Sequence, residues 1–135
     1  MSDAVAAVQA ALLAALKAHP VLPTLVTGIY DGPPPRAAYP YIVVSDSMSI
    51  DWSTKTVRGR EVSLIVTLWD EARGPHGMRE TMSLIEDAVQ AIPTMLNGWQ
   101  ITTINFIRSR ILRTNAGPWS GLVEHRVRVT ELPTT

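Results

Sequence analysis

The sequence predicts an α+β domain spanning residues 1–135, with an antiparallel or mixed sheet of four to five strands, two helices packed on one face and a long projecting β-hairpin. Three observations carry that prediction. Val62, Leu64, Val66 and Leu68 alternate with Glu61, Ser63 and Thr67, the period of two that a sheet with one buried side requires. Val5, Val8, Leu12 and Leu16 recur at three- and four-residue spacing, as do Met78, Met82, Ile85, Val89 and Ile92, the stripes of two amphipathic helices. The resulting order of helix, strands, helix, strands fits one sheet covered on one side.

The first helix occupies residues 4 to 18, capped by Ser2 or Asp3 and rich in alanine, with Leu13 at the edge of its apolar stripe. Its alanines leave little bulk, so the helix can approach a sheet or another subunit closely. His19-Pro20 ends it, because the residue before proline is pushed out of the helical region. A proline-rich connection follows, in which 25–30 reads as a short edge strand and Asp31-Gly32-Pro33 as a turn. Tyr41-Ile42-Val43-Val44 is a strand; the polar stretch 46–61 is a turn-rich excursion; 62–69 is the returning strand. Such a connection makes an extended hairpin whose tip stands away from the core. Asp70 to Gly74 breaks the strand, Pro75 suits the first turn of the second helix, and Pro93 with Asn97-Gly98 ends that helix. The last third is a hairpin of 99–112 and 122–132 joined through 115–118. Its first strand changes parity, which a bulge near Thr103 or burial on both faces reconciles.

Composition narrows the function. With 12 basic and 12 acidic residues the net charge is zero, against the basic footprint of a dedicated nucleic-acid binder. There is no cysteine, so disulfides and thiolate metal sites are excluded. No apolar run reaches the roughly 20 residues that span a bilayer, and the N-terminus lacks the basic start of a signal peptide. His19, His76 and His125 are scattered without partners at metal-ligand spacing and read as surface or capping residues. The acid pairs Asp70-Glu71 and Glu86-Asp87 read as solvated charge. Glycines occur singly, without a phosphate-cradling loop, and no serine sits in a nucleophile elbow. Catalytic, cofactor and metal residues are therefore assigned to none.

Binding chemistry is better represented. Trp52 lies in the polar hairpin tip beside Thr54 and Lys55, where it either folds back over the sheet edge or anchors an interface; Trp119 poses the same choice in the opposite loop. Arg108, Arg110, Arg126 and Arg128 form a row along the C-terminal hairpin. The row is a solvated face, a partner for acids on another copy, or a surface for passing phosphates. A projecting arm needs something to touch, and Trp52 to Glu61 is the stretch expected to touch it, with Arg58 and Arg60 as charged contacts and Gly59 allowing a tight bend.

The alanine-rich helix is followed by Tyr39-Pro40-Tyr41-Ile42-Val43, Trp52-Ser53-Thr54-Lys55-Thr56, Gly59-Arg60-Glu61 and Val66-Thr67-Leu68-Trp69, then a second helix. From about Val5 to Leu132 this order resembles the tail-completion or tail-terminator proteins of long-tailed phages and gene-transfer-agent particles. Asp70 departs from the serine that the resemblance leads one to expect, at what reads as a turn. The resemblance implies a subunit of a hexameric ring that caps the tail tube and presents a docking face to the head connector. It implies no enzymatic activity and no cofactor. The expected partners are further copies of the chain, the tail tube protein and the head-tail connector or stopper. DNA passes through the ring without sequence-specific binding, no membrane is involved, and the location is the virion after assembly in the host cytoplasm. Two other readings are a head-side neck or stopper protein and, in a different class, a dimeric cytoplasmic α+β domain binding a small ligand.

Overall fold

Residues 3–45, 48–71, 74–113 and 115–133 are described by the structure, a computed structural model. Helix α1 covers Ala4–Ala18, and Asp3 caps it by accepting the Val5 backbone N–H at 2.9 Å; Ser2, the other expected cap, lies outside the described residues. His19 ends α1 and begins the next element. Its Nδ1 accepts the N–H groups of Val21 and Leu22, both at 3.1 Å. That cap starts a one-turn helix, α2 (Leu22–Leu25), with Pro23 in its first turn. The expected edge strand over 25–30 is therefore shortened to β1 (Ile29–Asp31).

The sheet is mixed and has six strands. β1 runs parallel to β2 (Tyr41–Val44), which is antiparallel to the far half of β4 (Gly59–Asp70). β3 (Met48–Asp51) pairs with the near half of β4, opposite Arg60 to Ser63. The described part of the excursion 46–61 is thus half sheet, 48–51 and 59–61, and β3 is the strand added to the expected four or five; Asp46 and Ser47 lie outside the described residues. β4 is paired along its whole length with β6 (Trp119–Glu131), from Gly59 opposite Thr130 to Asp70 opposite Trp119. β5 (Trp99–Arg113) closes the order β1-β2-β4-β6-β5 as the far edge. Its register shifts between Ile101 and Thr103, the expected bulge, and again between Phe106 and Arg108.

The two long helices, α1 and α3 (Gly74–Gln90), cover one face of the sheet as predicted. Val8, Leu12 and Leu16 of α1 and Met78, Met82, Ile85 and Val89 of α3 are buried against Val62, Leu64, Val66 and Leu68 of β4 and Val123, Val127 and Val129 of β6. Full burial of such side chains stabilises by about 1.5–3 kcal/mol each. Gln9 Nε2 ties α1 to the sheet, donating to Asp31 Oδ1 at 3.1 Å and to the Ser45 carbonyl at 3.2 Å. α3 lies close on β6 because Gly121 has no side chain there. A Cβ at that position would stand 2.6 Å from Met82 Sδ and 3.1 Å from Met78 Cε.

Two polar residues depart from the surface positions expected for them. Asp70 is the last residue of β4, not part of a solvated turn, and is buried, while Glu71 is exposed. His125 is neither surface nor cap. It follows the alternation of β6, points under the helices and is 1% exposed, edge-on to Phe106 at 5.6 Å between ring centroids. Both its ring nitrogens lack a hydrogen-bond partner, and burial lowers its pKa below the ordinary 6.5.

Two consequences are measurable. Gly121→Val must push Met82 and Met78 aside and lift α3, so it should lower stability by about 1–3 kcal/mol in thermal melts. The native state disfavours a proton on His125 whereas the unfolded chain takes one near pH 6.5, so stability should fall as pH drops below about 6.5. His125→Leu should flatten that part of the melting temperature against pH curve; an unchanged slope would rule His125 out as its source.

Candidate functional site

Because β4 pairs with β6 throughout, parity assigns every side chain in this part of the sheet to the helix-covered face or the open one. The open face carries Glu61, Ser63, Ile65, Thr67 and Trp69 from β4, and Leu122, Glu124, Arg126 and Arg128 from β6. Met48 and Ile50 of β3, opposite Ser63 and Glu61, extend it and are 69% and 54% exposed. At the other end of this face Tyr30, Tyr39 and Tyr41 group around the start of β2, with Tyr39 stacked on Tyr41 at 5.6 Å. Burial, then the neighbouring phenols, raise the Tyr41 pKa above 10.0.

Beyond the ladder runs the seven-residue tip Trp52–Arg58, held by a local network. Trp52 N–H donates to the Gly59 carbonyl at 2.9 Å, and Ser53 Oγ accepts from Gly59 N–H at 2.9 Å while donating to Asp51 Oδ1 at 2.6 Å. Thr54 N–H donates to the Val57 carbonyl at 2.9 Å, and Thr54 Oγ1 accepts from Val57 N–H at 3.1 Å. Ser53 and Thr54 therefore serve as turn formers. Gly59 was expected to permit a tight bend. Its positive-φ counterparts are instead Gly32, Gly74 and Gly98. Gly59 is needed because a Cβ there would land on the Trp52 carbonyl oxygen and approach that of Val129 at 3.2 Å.

Trp52 folds back in part over the sheet. Arg128 lies over its ring at 5.3 Å, yet 37% of the residue remains exposed. The same Arg128 donates from Nε to Glu61 Oε1 at 2.9 Å, and Arg126 Nε stands 3.6 Å from that oxygen. Arg108 Nε meets Glu124 at 3.0 Å. Three of the four arginines in the row are thus met by acids of their own chain, and Arg110 is exposed. Arg58 pairs with Glu131 at 3.4 Å, while Arg60, by parity, belongs with Val62 on the helix side. Lys55 is exposed at the apex.

The structure therefore brings Trp52, Glu61, Arg126 and Arg128 together and sets Arg58 and Arg60 on the other face. Trp119 is at the far end of the sheet, in β6 instead of a loop, packed on the core with Arg113 over its ring at 5.0 Å. Met48 and Ile50, the most exposed apolar residues of the hairpin, had no role in the sequence reading. Their shared parity with Trp52 was the available signal. Among the described residues, no three His, Asp or Glu side chains are grouped as metal ligands, and no helix is long and apolar enough to cross a membrane.

The family model described as tail completion protein gp17 matches residues 10–130. The chain belongs to that family. It is accordingly a structural protein of the virion tail. A chain of the virion of a native gene transfer agent particle is similar over 96% of this chain and 99% of its own length, with 28% identity and a TM-score of 0.75. The gp17 protein of bacteriophage SPP1 shares the fold, with 22% identity, a TM-score of 0.64 and coverage of 98% and 94%. A search of curated protein sequences returned no match.

Gly59→Ala displaces the Trp52 carbonyl and opens the tip without touching Lys55. Limited trypsin digestion should then cut at Lys55 faster than in the parent chain, with a lower melting temperature; equal cutting would show that the tip tolerates the added methyl.

Proposed function

We propose that this tail completion protein caps the tail tube as a ring, ends tube growth and offers the surface on which the head connector docks. The ring is hexameric in this reading, and the chain acts by contact instead of catalysis. The observation that supports it is the hairpin itself. Among the described residues, Met48, Ile50, Trp52 and Val57 are half of the eight large hydrophobics left exposed, and they sit on one pre-formed element. Isolated exposed apolar residues are ordinary, but four on one hairpin make an interaction surface. A ring needs a head-to-tail contact between two different patches of each subunit. The hairpin supplies one, with Trp52 as its aromatic anchor and Lys55 at its rim.

The arginine row fits the lumen or the docking face. Arg108, Arg126 and Arg128 are already paired within the chain, so DNA moving past would meet a surface with much of its positive charge offset.

Particles assembled without the chain should carry overlong tails or tails not joined to heads, as seen by electron microscopy. Tails of normal length, joined normally, would remove the capping role. Trp52→Ala should leave the fold intact and lower the yield of joined particles at least tenfold; full yield would take Trp52 out of the interface.

A further inference from the structure

Of the four exposed large hydrophobics outside the hairpin, Phe106 and Leu112 lie on β5, and the other two mark a second place. Met95, 58% exposed, lines a groove of about 520 Å³ between the last turns of α1 and the end of α3, and Val21, also exposed, lies just beyond its rim residue Pro20. The floor is alanine: Ala11, Ala14, Ala15 and Ala18 from α1, Ala88 and Ala91 from α3. The groove is on the outer side of the helix layer, whereas Met48, Ile50 and Trp52 are on the open side of the sheet. The chain therefore presents a convex apolar element on one face and a concave apolar one on the other. Two convex tips cannot bury one another well. A tip and a groove can, and contact between opposite faces of successive copies is head-to-tail.

Charge selects the same occupant. The last turn of α3 contains no basic residue and ends at the groove, where the helix C-terminus carries negative partial charge. Asp87, exposed and one turn before Ala91, lies on that side of the helix. Lys17, the basic residue in the last turn of α1, faces away and lines a separate cleft with Pro23 and Val26. The groove thus has an apolar floor, with the α3 C-terminus and one exposed acid, Asp87, beside it, and the hairpin tip has a lysine at its apex between Trp52 and Val57.

We infer that the groove between α1 and α3 receives the hairpin tip of the next copy, with Lys55 directed at Asp87 and the α3 C-terminus. This rests on the ring reading above and names the patch that reading leaves open.

The chain has no cysteine, which makes the test direct. Particles are assembled from a mixture of Val57→Cys copies and size-tagged Ala14→Cys copies, then oxidised. A disulfide forms only when the two Cβ atoms come within about 3.5–4.5 Å. Mixed dimers should form at several times the yield given when Lys17→Cys, which lines the separate cleft with Pro23 and Val26, replaces Ala14→Cys. Lys55→Glu should cut that yield several-fold, and adding Asp87→Lys should restore it. If the chain is present in particles but mixed dimers do not exceed the Lys17→Cys level, or only Val57→Cys homodimers form, the groove is not the receptor and the inference is overturned while the tail role stands. Mixed dimers insensitive to both charge changes would overturn the pairing of Lys55 with Asp87. Absence of the chain from particles would overturn the ring reading, and this inference with it.

Discussion

The uninterrupted antiparallel pairing of β4 with β6, from Gly59 opposite Thr130 to Asp70 opposite Trp119, is the constraint on which the rest depends. Its period of two decides at once which residues go under the helices and which face outward. A slip by one residue would turn one strand over against the other, either putting Glu61 into the core and expelling Val62 or putting Arg126 and Arg128 there and expelling Val127 and Val129. Burying those charges would cost far more than any local rearrangement could recover. The register is accordingly well determined, and the side chains of the open face inherit their positions from it.

That pairing also explains what was legible in the sequence. Both long helices and the strand 62–69 were readable because each has a dense apolar period of its own, the strand 41–44 as an unbroken apolar run, and the bulge near Thr103 from a change of parity. β3 was not. It turns Ser49 and Asp51 toward the helix side and shows Met48 and Ile50 to solvent, so it lacks the inward apolar residues by which a strand is recognised. The pairing of Glu61 with Arg126 and Arg128 could not be read either, since it depends on which residue of β6 stands opposite residue 61, a non-local fact. The burial of His125 was readable in principle. Its parity with Val123, Val127 and Val129 outweighed the usual preference of histidine for the surface, and the inward-facing valines gave the better guide.

The tip shows how a polar stretch can hold apolar side chains out in water without collapsing. Ser53 and Thr54 satisfy the backbone of the turn, and Gly59 lets the chain fold back against it. Much of the ordering cost of the loop is therefore met inside the free subunit. Rigid presentation of this kind favours association, because fewer rotamers and backbone states remain to be frozen on contact. A Trp52 anchored by Arg128 loses less freedom on docking than one on a floppy loop.

β5 points the same way from the opposite edge. A long edge strand invites another strand to add to it, and in a subunit of the proposed ring open-ended sheet growth would be a hazard. Two bulges, at Ile101/Thr103 and Phe106/Arg108, interrupt this edge, and Arg108 and Arg110 add charge beside it. Both features oppose strand addition. In the proposed ring, self-association would thereby be directed away from the sheet edge toward side-chain contacts on the faces, where shape and charge limit which copies fit and at what angle. A contact angle fixed by a tip in a groove can close on itself after a set number of copies, whereas edge pairing has no such stopping point.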